Sequence, residues 1–379
     1  MDKMFRHMPI RAIDFAKPFS GARWFDIVPR SAARPDLSPQ VLLHAGPPFR
    51  GAPPAPVINA AIQALLFDGQ AADAESARDL LVRGVVQLRP AQDYGIATPL
   101  AEVVSGSMLL IAVAQQERIC YAPIIEGSAP ALRFGSAAPE CVQRLRDTSA
   151  WIETRVAPIL RGDPMSIDEL IRVAVAAGDD CHARTGAANE AMVSRLRDLD
   201  AHSAANLRAS PAFVLAVLMA AAMAALRNSL CRIEAIGGNG SDFGIRWRGN
   251  PVWRQTPAQP PLGSHRAGLE AVVPLPAIGD SAVIDFCGLG GQALSAAPLL
   301  AAELASALPA GALARSRDLI DPNSGIVDPA RIVSGAFAPL INLAILDRDG
   351  CEGLIGRGMY SPPVSLFDGF SQEVRRHGL

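Results

Sequence analysis

The chain has 379 residues, of which 50% are hydrophobic and 19% are charged, and its formal net charge at neutral pH is -2. This composition is typical of a folded globular protein with room for two or three domains, and it excludes a disordered chain. The nearly balanced charge gives no electrostatic reason to bind nucleic acid or an anionic membrane, so neither is expected as a partner.

The first third of the chain predicts a mixture of helices and strands. Apolar residues recur at helical spacing over residues 57–67, and a shorter helix is predicted over residues 75–83. Strand-like apolar runs follow at residues 85–88 and 108–113. We therefore predict an N-terminal α/β domain over residues 1–137.

The middle of the chain, residues 138–232, is predicted to be a helical domain. One helix begins after Pro139, and a capping box at residues 166–169 precedes another. Residues 211–226 are apolar throughout, but these 16 residues fall short of the roughly 20 that cross a bilayer. They predict a buried core helix that begins with a side-chain cap at Ser210.

The last part of the chain, residues 233–379, predicts a second α/β domain. Strand-like runs at residues 243–247, 282–287 and 341–346 alternate with glycine loops and with an alanine-rich helix over residues 292–308. The predicted fold class is therefore α/β (α+β), with two α/β domains and a helical domain between them.

Three glycine clusters stand out, at residues 237–244, 288–291 and 353–358. Glycine lets a ligand approach the main chain, and successive uncovered N–H groups form a nest for phosphate or carboxylate. The second cluster fits the dinucleotide fingerprint by its letters, but no acidic residue ends a second strand about 20 residues later. We interpret it as a helix N-terminus that holds an oxyanion. Tight turns without a ligand are the alternative for each cluster.

A dense group of polar residues lies at 178–189. If this segment is helical, positions 178, 182, 185 and 189 share one face, and Asp179 lies near His182. An acid beside a histidine can orient or charge the imidazole for proton transfer. The alternative is a helix junction whose polar groups cap one another. Cys181 as a nucleophile has no supporting pattern.

Other polar residues carry weaker signals. Asp280, Asp328 and Asn342 lie in or beside predicted loops, where each could position a substrate amide or serve as a turn residue. No set of His, Cys and carboxylate residues has metal-ligand spacing, so no metal site is predicted. The six cysteines lie apart, without a Cys-x-x-Cys pair, which favours reduced thiols in a cytoplasmic protein. The N-terminus has no continuous apolar run, so no signal peptide is expected.

Short motifs occur in order along residues 41–365. They are Leu43-His44-Ala45-Gly46-Pro47-Pro48, Val104-Ser105-Gly106-Ser107-Met108, Glu126-Gly127, Leu132-Arg133-Phe134-Gly135, Gly178-Asp179-Asp180-Cys181-His182 with Arg184, Asn239-Gly240 with Asp242-Phe243-Gly244-Ile245, Gly279-Asp280-Ser281-Ala282, Gly288-Leu289-Gly290-Gly291, and Pro339 with Ile341-Asn342. In these motifs the chain resembles the YlbE-like proteins, a family that includes an AllG-type subunit of oxamate carbamoyltransferase.

The resemblance implies a cytoplasmic enzyme subunit that phosphorolyses a carbamoyl compound such as oxalurate to carbamoyl phosphate and oxamate. We expect a small anionic substrate, phosphate as co-substrate, no other cofactor, partner subunits and a homo-oligomer. From residue type, His182 is assigned proton transfer, with Asp179 and Arg184 as further catalytic residues. The residues proposed to bind substrate or anion are His44, Ser105, Ser107, Arg133, Asn239, Gly240, Asp242, Gly288, Gly290, Gly291 and Asn342.

One segment, residues 90–95, departs from the family pattern, because relatives carry a His-rich motif after the proline at this place. If those histidines are catalytic in relatives, this chain acts on another substrate or has lost activity. Two alternatives to a transferase therefore stay open. One is a non-catalytic subunit that binds an anionic metabolite, and the other is a hydrolase or lyase of a small amide.

Overall fold

The structure is a computed structural model that describes residues 13–369. Its strands are β1 (Arg23–Pro29), β2 (Val41–His44), β3 (Gln87–Pro90), β4 (Val103–Val104), β5 (Leu109–Gln115), β6 (Arg118–Pro123), β7 (Met165–Ser166), β8 (Ile233–Asn239), β9 (Asp242–Trp247), β10 (Trp253–Pro257), β11 (Leu262–His265), β12 (Ile278–Gly279), β13 (Ile341–Leu346) and β14 (Leu354–Tyr360). Its helices are α1 (Arg30–Ala33), α2 (Ala55–Phe67), α3 (Ala74–Val82), α4 (Glu140–Trp151), α5 (Ala157–Gly162), α6 (Ile167–Ala176), α7 (Gly186–Arg195), α8 (Ala201–Ala209), α9 (Phe213–Asn228), α10 (Ala282–Phe286), α11 (Pro298–Glu303), α12 (Ala312–Asp318) and α13 (Pro329–Gly335).

The strands of the described residues form four small sheets. Their strand orders are β6–β5–β1–β7, β10–β9–β8–β12, β11–β14–β13 and β3–β2–β4. β2 and β3 run parallel, whereas the strand pairs of the other three sheets are antiparallel. The fold is thus a mixed α/β fold, and the predicted fold class is confirmed.

The helices predicted in the N-terminal part are confirmed as α2 and α3. α3 is capped by Asp73, whose carboxylate accepts the backbone N–H of Ser76 at 2.8 Å, while the Ser76 hydroxyl accepts the N–H of Asp73 at 3.2 Å. This reciprocal arrangement satisfies two N–H groups that the first turn of a helix leaves free. Of the two predicted strands, residues 108–113 fall in β5, and residues 85–88 overlap β3.

α9 is the buried helix that the sequence predicts. Its residues 216–226 are all buried, and it packs on β5 and β6. The predicted side-chain cap at Ser210 is wrong, because the Ser210 carbonyl and not its hydroxyl takes the N–H of Phe213, at 2.8 Å. No single helix between residues 13 and 369 is long and apolar enough to cross a membrane. Only α8 and α9 taken together, with a bend of 76°, reach that length and composition.

The helical interpretation of residues 178–189 is wrong, whereas its alternative, a helix junction whose polar groups cap backbone N–H groups, is confirmed. α6 ends and α7 begins on either side of a loop, in which Gly178 and Cys181 have φ angles of +89° and +63°. Such angles do not occur within a right-handed helix. The capping box predicted at residues 166–169 is also wrong, because Ser166 makes no side-chain cap and its hydroxyl donates to a neighbouring carboxylate.

Two of the three strands predicted in the C-terminal part are confirmed. Residues 243–247 fall in β9, and residues 341–346 form β13. Residues 282–287 were expected to be a strand, but they contain the buried helix α10. The apolar pattern of a short run does not distinguish a buried strand from a buried helix. The helix predicted over residues 292–308 is broken into a 3-10 turn, Leu294–Ala296, and α11.

One hydrophobic core runs through all three parts of the chain. β7, from the middle part, pairs with β1. α9, in the middle part, packs on β5 and β6 of the N-terminal part and also on β8 of the C-terminal part. The domain boundaries at residues 137 and 232 stay predictions. This packing brings residues from the three parts together around one cavity.

Candidate functional site

A cavity of about 430 Å³ lies where the three parts of the chain meet. Arg133 contributes to its wall from the N-terminal part, His182 from the loop between α6 and α7, and Asn342 from β13. All three were predicted as site residues, and the fold brings them to one place. Further polar side chains of the wall belong to His265, Arg266, Ser281, Glu303 and Arg357. Three arginines against one glutamate give this wall an excess of positive charge.

His182 is held by a carboxylate from α10. Its Nδ1 lies 2.7 Å from Oδ2 of Asp285, and both side chains are buried. The other oxygen of Asp285 accepts the backbone N–H of Gly291 at 2.7 Å and that of Asn342 at 3.1 Å. These three contacts therefore set the position of the ring. Its Nε2 has no hydrogen-bond partner within residues 13–369 and is the ring nitrogen left for a ligand.

The charge of His182 follows from these contacts. Burial, the largest effect, favours the neutral ring, but the Asp285 carboxylate and the nearby Asp180 together raise the pKa of His182 above its ordinary value. A raised pKa means that His182 keeps its proton to higher pH than an ordinary histidine, and such a proton can be given to a leaving group.

A second carboxylate, Asp180, fixes Asn342. Its Oδ1 accepts the backbone N–H of Arg184 at 2.7 Å, and its Oδ2 accepts that of Ala183 at 3.1 Å together with the side-chain amide of Asn342. Burial raises the pKa of Asp180, and the two backbone N–H groups oppose this. The amide of Asn342 is consequently oriented, and its Oδ1 is a buried acceptor without a donor among the described residues.

Arg133 is a buried cation at the cavity wall. Its guanidinium lies 4.2 Å over the ring of Phe134, and its Nη1 is 3.6 Å from Oε2 of Glu126. Burial lowers the pKa of Arg133, although Glu126 and Glu102 oppose this. Burial and the nearby Glu126 raise the pKa of Glu102 well above its ordinary value. Glu126 and the ring of Phe134 thus hold the guanidinium in place at the cavity wall.

The other two predicted catalytic residues lie elsewhere. Asp179 does not contact His182, because its carboxylate caps α7 by accepting the backbone N–H of Ala188 at 2.9 Å. Arg184 does not line the cavity. Its contribution to the site is its backbone N–H, which holds Asp180. The acid that orients His182 is therefore Asp285 and not its sequence neighbour.

The uncovered amides predicted at residues 237–244 are absent, because these residues form the β8–β9 hairpin. The N–H groups of Ser241 and Asp242 donate to the side chain of Asn239, at 2.9 and 2.7 Å, and that of Gly240 donates to Ala277 at 3.2 Å. The carboxylate of Asp242 faces Arg50 at 3.7 Å. Asn239, Gly240 and Asp242 are not part of the cavity wall.

The amides of the second cluster are also occupied, and no α-helix begins there. The N–H of Gly288 donates to the Asp285 carbonyl at 3.0 Å, and that of Gly290 to the Asp180 carbonyl at 2.8 Å. The N–H of Gly291 donates to the Asp285 carboxylate. These glycines thus hold the two acids behind His182 and Asn342, and they do not present amides to an external anion.

The third cluster lies in β14, the central strand of its sheet. Gly356 and Gly358 pair with β11 on one side and with β13 on the other. Gly356 lies on the cavity wall. The backbone of this segment is therefore used in ordinary strand pairing and does not form a nest for an anion.

His44 is buried away from the cavity. Its Nδ1 lies 2.8 Å from the Ala45 carbonyl, and its ring packs on Phe49 with 4.3 Å between centroids. Burial lowers the pKa of His44 to about 4, so the ring is neutral at pH 7. A neutral, enclosed ring offers no positive charge to an anion.

Ser105 and Ser107 bind a carboxylate of the chain itself. The Ser105 hydroxyl donates to Asp68 at 2.7 Å, and the backbone N–H groups of Gly106 and Ser107 donate to it at 2.8 and 3.1 Å. The Ser107 hydroxyl also contacts Asp68. The loop forms an anion nest, but Asp68 fills it, and neither serine lines the cavity.

Residues 90–95, the segment expected to depart from the family pattern, lie outside the cavity and join the N-terminal part to the C-terminal part. The side-chain amide of Gln92 donates to Ile236 at 2.9 Å and to Asp280 at 2.6 Å. Asp280 also accepts hydrogen bonds from Gly46 and Thr98. These contacts favour its charged form, but burial is the larger effect and raises the pKa of Asp280 to about 7. Asp280 therefore joins loops. Asp328 is likewise structural and caps α13.

Sequence reasoning did not assign roles to several residues that form this site. Asp285 lies inside the run expected to be a strand, and Asp180 was quoted in a motif without a function. A single charged residue inside the apolar run 282–287 was the available signal, because an acid is rarely buried without partners.

Comparisons with known proteins show what this chain is similar to in sequence and fold. A family model described as "Oxamate carbamoyltransferase subunit AllG" matches residues 86–281. The oxamate carbamoyltransferase subunit AllG of Escherichia coli (strain K12) is 27% identical over 390 residues, which cover 91% of this chain and 92% of that protein. The uncharacterized protein YahG of the same organism is 28% identical over 375 residues, covering 88% and 78%. A conserved protein of unknown function from Enterococcus faecalis V583 shares the fold, with a TM-score of 0.79, 24% identity and 96% coverage of both chains.

Proposed function

Because the chain belongs to the family of the oxamate carbamoyltransferase subunit AllG, we propose that its cavity binds a small anionic amide and promotes carbamoyl transfer to phosphate. The observation that carries this proposal is the His182–Asp285 pair at the wall of a cavity that also holds Arg133 and Asn342. A positioned proton donor beside cationic side chains is what acyl transfer from an amide requires.

The reaction is the phosphorolysis of an oxalurate-like compound. A phosphate oxygen attacks the carbamoyl carbon, the bond from that carbon to the amide nitrogen breaks, and carbamoyl phosphate forms. The nitrogen leaves with oxamate and takes up the proton that hydrogen phosphate gives up. His182, with Nδ1 held by Asp285, is placed to relay this proton through Nε2.

The cationic residues of the wall have a separate role in this mechanism. Negative charge develops on the carbamoyl oxygen in the transition state, while phosphate and the substrate carboxylate are already negative. Arg133, Arg266 and Arg357 supply positive charge in a partly enclosed space, where it acts more strongly than in water. Glu303, 3.3 Å from Arg357, neutralises part of that charge.

A second candidate function is a non-catalytic subunit that binds the same kind of metabolite. The AllG relative is named a subunit, and segment 90–95 of this chain is expected from the sequence to depart from the family pattern. A binding subunit would use the cavity with its arginines but would turn over only together with a partner.

Carbamoyl phosphate formation from oxalurate and phosphate tests the proposal, first with the purified chain and then with candidate partner subunits. We expect turnover in one of the two settings and a loss of about 10²- to 10⁴-fold in His182→Ala, the usual contribution of a general acid or base. The exposed His202 of α8 provides a matched control, His202→Ala, which should retain full activity. Anion binding without turnover in either setting would favour the binding subunit, and full activity of His182→Ala would remove the proton relay.

A further inference from the structure

We propose that Asn342 determines specificity by accepting an N–H of the ligand, so that the cavity selects carbamoyl and primary amide compounds over keto acids of the same shape. This inference rests on the proposed function for the location of the ligand. It changes the expected role of Asn342, because an acceptor oxygen repels the anion that the residue was expected to bind.

The orientation of the amide follows from its neighbour. The side-chain N–H of Asn342 donates to Oδ2 of Asp180, which also accepts the N–H of Ala183. A carboxylate accepts and does not donate, so the opposite orientation would set the Asn342 oxygen against the Asp180 oxygen. The amide is therefore held with Oδ1 as its free atom.

That free atom is unsatisfied. Asn342 is 1% exposed, and its Oδ1 has no donor among the described residues. A buried acceptor without a donor is destabilising and points to a missing partner. The main chain of Asn342 is also fixed, because its N–H donates to Asp285 at 3.1 Å. Turning the side chain away would break the contact with Asp180.

Position distinguishes Asn342 from a second unsatisfied amide nearby. Gln292 is equally buried, its N–H donates to the Leu340 carbonyl at 2.6 Å, and its Oε1 also has no donor in the part of the chain that the structure describes. Gln292 does not line the cavity, whereas Asn342 does. Of these two amides, only Asn342 belongs to the wall that a ligand in the cavity would contact.

Ligand chemistry supplies a matched pair to test this. Oxamate and pyruvate share a carboxylate and an adjacent carbonyl, and they differ by an amino group in place of a methyl group. A site built to hydrogen-bond an N–H rejects the analogue that lacks it, because the buried acceptor is then left unpaired. N,N-dimethyloxamate keeps the amide but has no N–H, so it separates hydrogen bonding from polarity.

The experiment is calorimetric titration of the full chain with these three ligands. We expect the wild-type protein to bind oxamate roughly 10-fold or more tightly than pyruvate or N,N-dimethyloxamate. Asn342→Leu should reduce the preference for oxamate over pyruvate to near equality, whereas Gln292→Leu should keep it. Even if Asn342→Leu does not fold, equal affinity of the wild-type protein for the three ligands would overturn the inference.

The outcomes separate this inference from the proposed function. Equal affinity of the wild type for oxamate and pyruvate, or no oxamate binding at all, overturns the role of Asn342, even where turnover is observed. A clear preference for oxamate that Asn342→Leu abolishes supports the role, even where carbamoyl transfer fails. A preference that Asn342→Leu retains also overturns it.

Discussion

At the scale of single residues, the charge of His182 depends on two opposing influences. Loss of water on burial favours the neutral imidazole, while Asp285 at 2.7 Å and the nearby Asp180 favour the imidazolium. The carboxylates prevail, and the pKa of His182 is raised above its ordinary 6.5. The ion pair therefore stabilises the fold fully below pH 6.5, and this contribution is lost as the pH rises through the raised pKa.

Asp285→Asn should lower the pKa of His182 below 6.5, because burial, the largest effect, remains while the larger of the two charges that oppose it is removed. The asparagine oxygen can still accept the N–H groups of Gly291 and Asn342, so the fold should persist. The dependence of the protein's stability on pH then reverses. The buried neutral ring makes the variant lose stability as the pH falls below 6.5. An NMR titration of the His182 ring measures the pKa.

Asp179→Asn is the control for this titration. Asp179 lies beside His182 in sequence, but its carboxylate contacts Ala188. The variant should leave the pKa of His182 unchanged. A His182 pKa that stays raised in Asp285→Asn would contradict the role given to that carboxylate.

Residue type and motif were enough to select His182, Arg133 and Asn342 from the sequence. They were not enough to find the partner of His182, because Asp285 is 103 residues away in the chain. Local spacing led to Asp179, yet the loop that begins at Gly178 turns it towards α7. Contacts between distant segments are set by the fold and are not visible in local spacing.

At the scale of elements, the glycines of β8 allow three backbone segments to pack closely. A Cβ on Gly238 would lie 2.3 Å from the Ala277 carbonyl oxygen, and a Cβ on Gly46 would lie 2.3 Å from the Gly238 carbonyl carbon. Real Cβ atoms do not come so near to the backbone. The first glycine cluster is therefore explained by close approach of β8, β12 and the loop after β2, and a bound anion is not required.

Gly238→Ala should destabilise the protein by about 3 kcal/mol, because the added methyl group forces two backbone segments apart. Gly51→Ala is the matched control, since a Cβ there meets nothing within 4 Å, and its effect should stay within about 0.5 kcal/mol. Urea unfolding followed by circular dichroism gives both values. Equal stability of the two variants would show that β8 tolerates a side chain at this position.

The elements that sequence could predict were those with a clear period and enough length. α2, α3, α4 and α9 were found, as were β9 and β13. α10 was mistaken for a strand, because five buried residues carry no period that separates the two. The glycine clusters were mistaken for open loops, since a sequence does not show which amides strand pairing will occupy.

At the scale of the whole molecule, the site exists only because three distant parts of the chain pack together. Arg133, His182 and Asn342 come from three different parts and reach one cavity through a continuous core. Residue type pointed to these residues, and the fold places them at the wall of one cavity. The proposed anion site accordingly moves from backbone amides to arginine and histidine side chains.

A crystal structure of the full chain with oxamate is the measurement that tests this claim most directly. The account predicts oxamate in the 430 Å³ cavity, with its N–H at Asn342 Oδ1 and its oxygens towards His182 Nε2 and Arg133. Oxamate bound instead at the Asn239–Gly240 turn or at the Ser105–Ser107 loop, with the cavity empty, would contradict it.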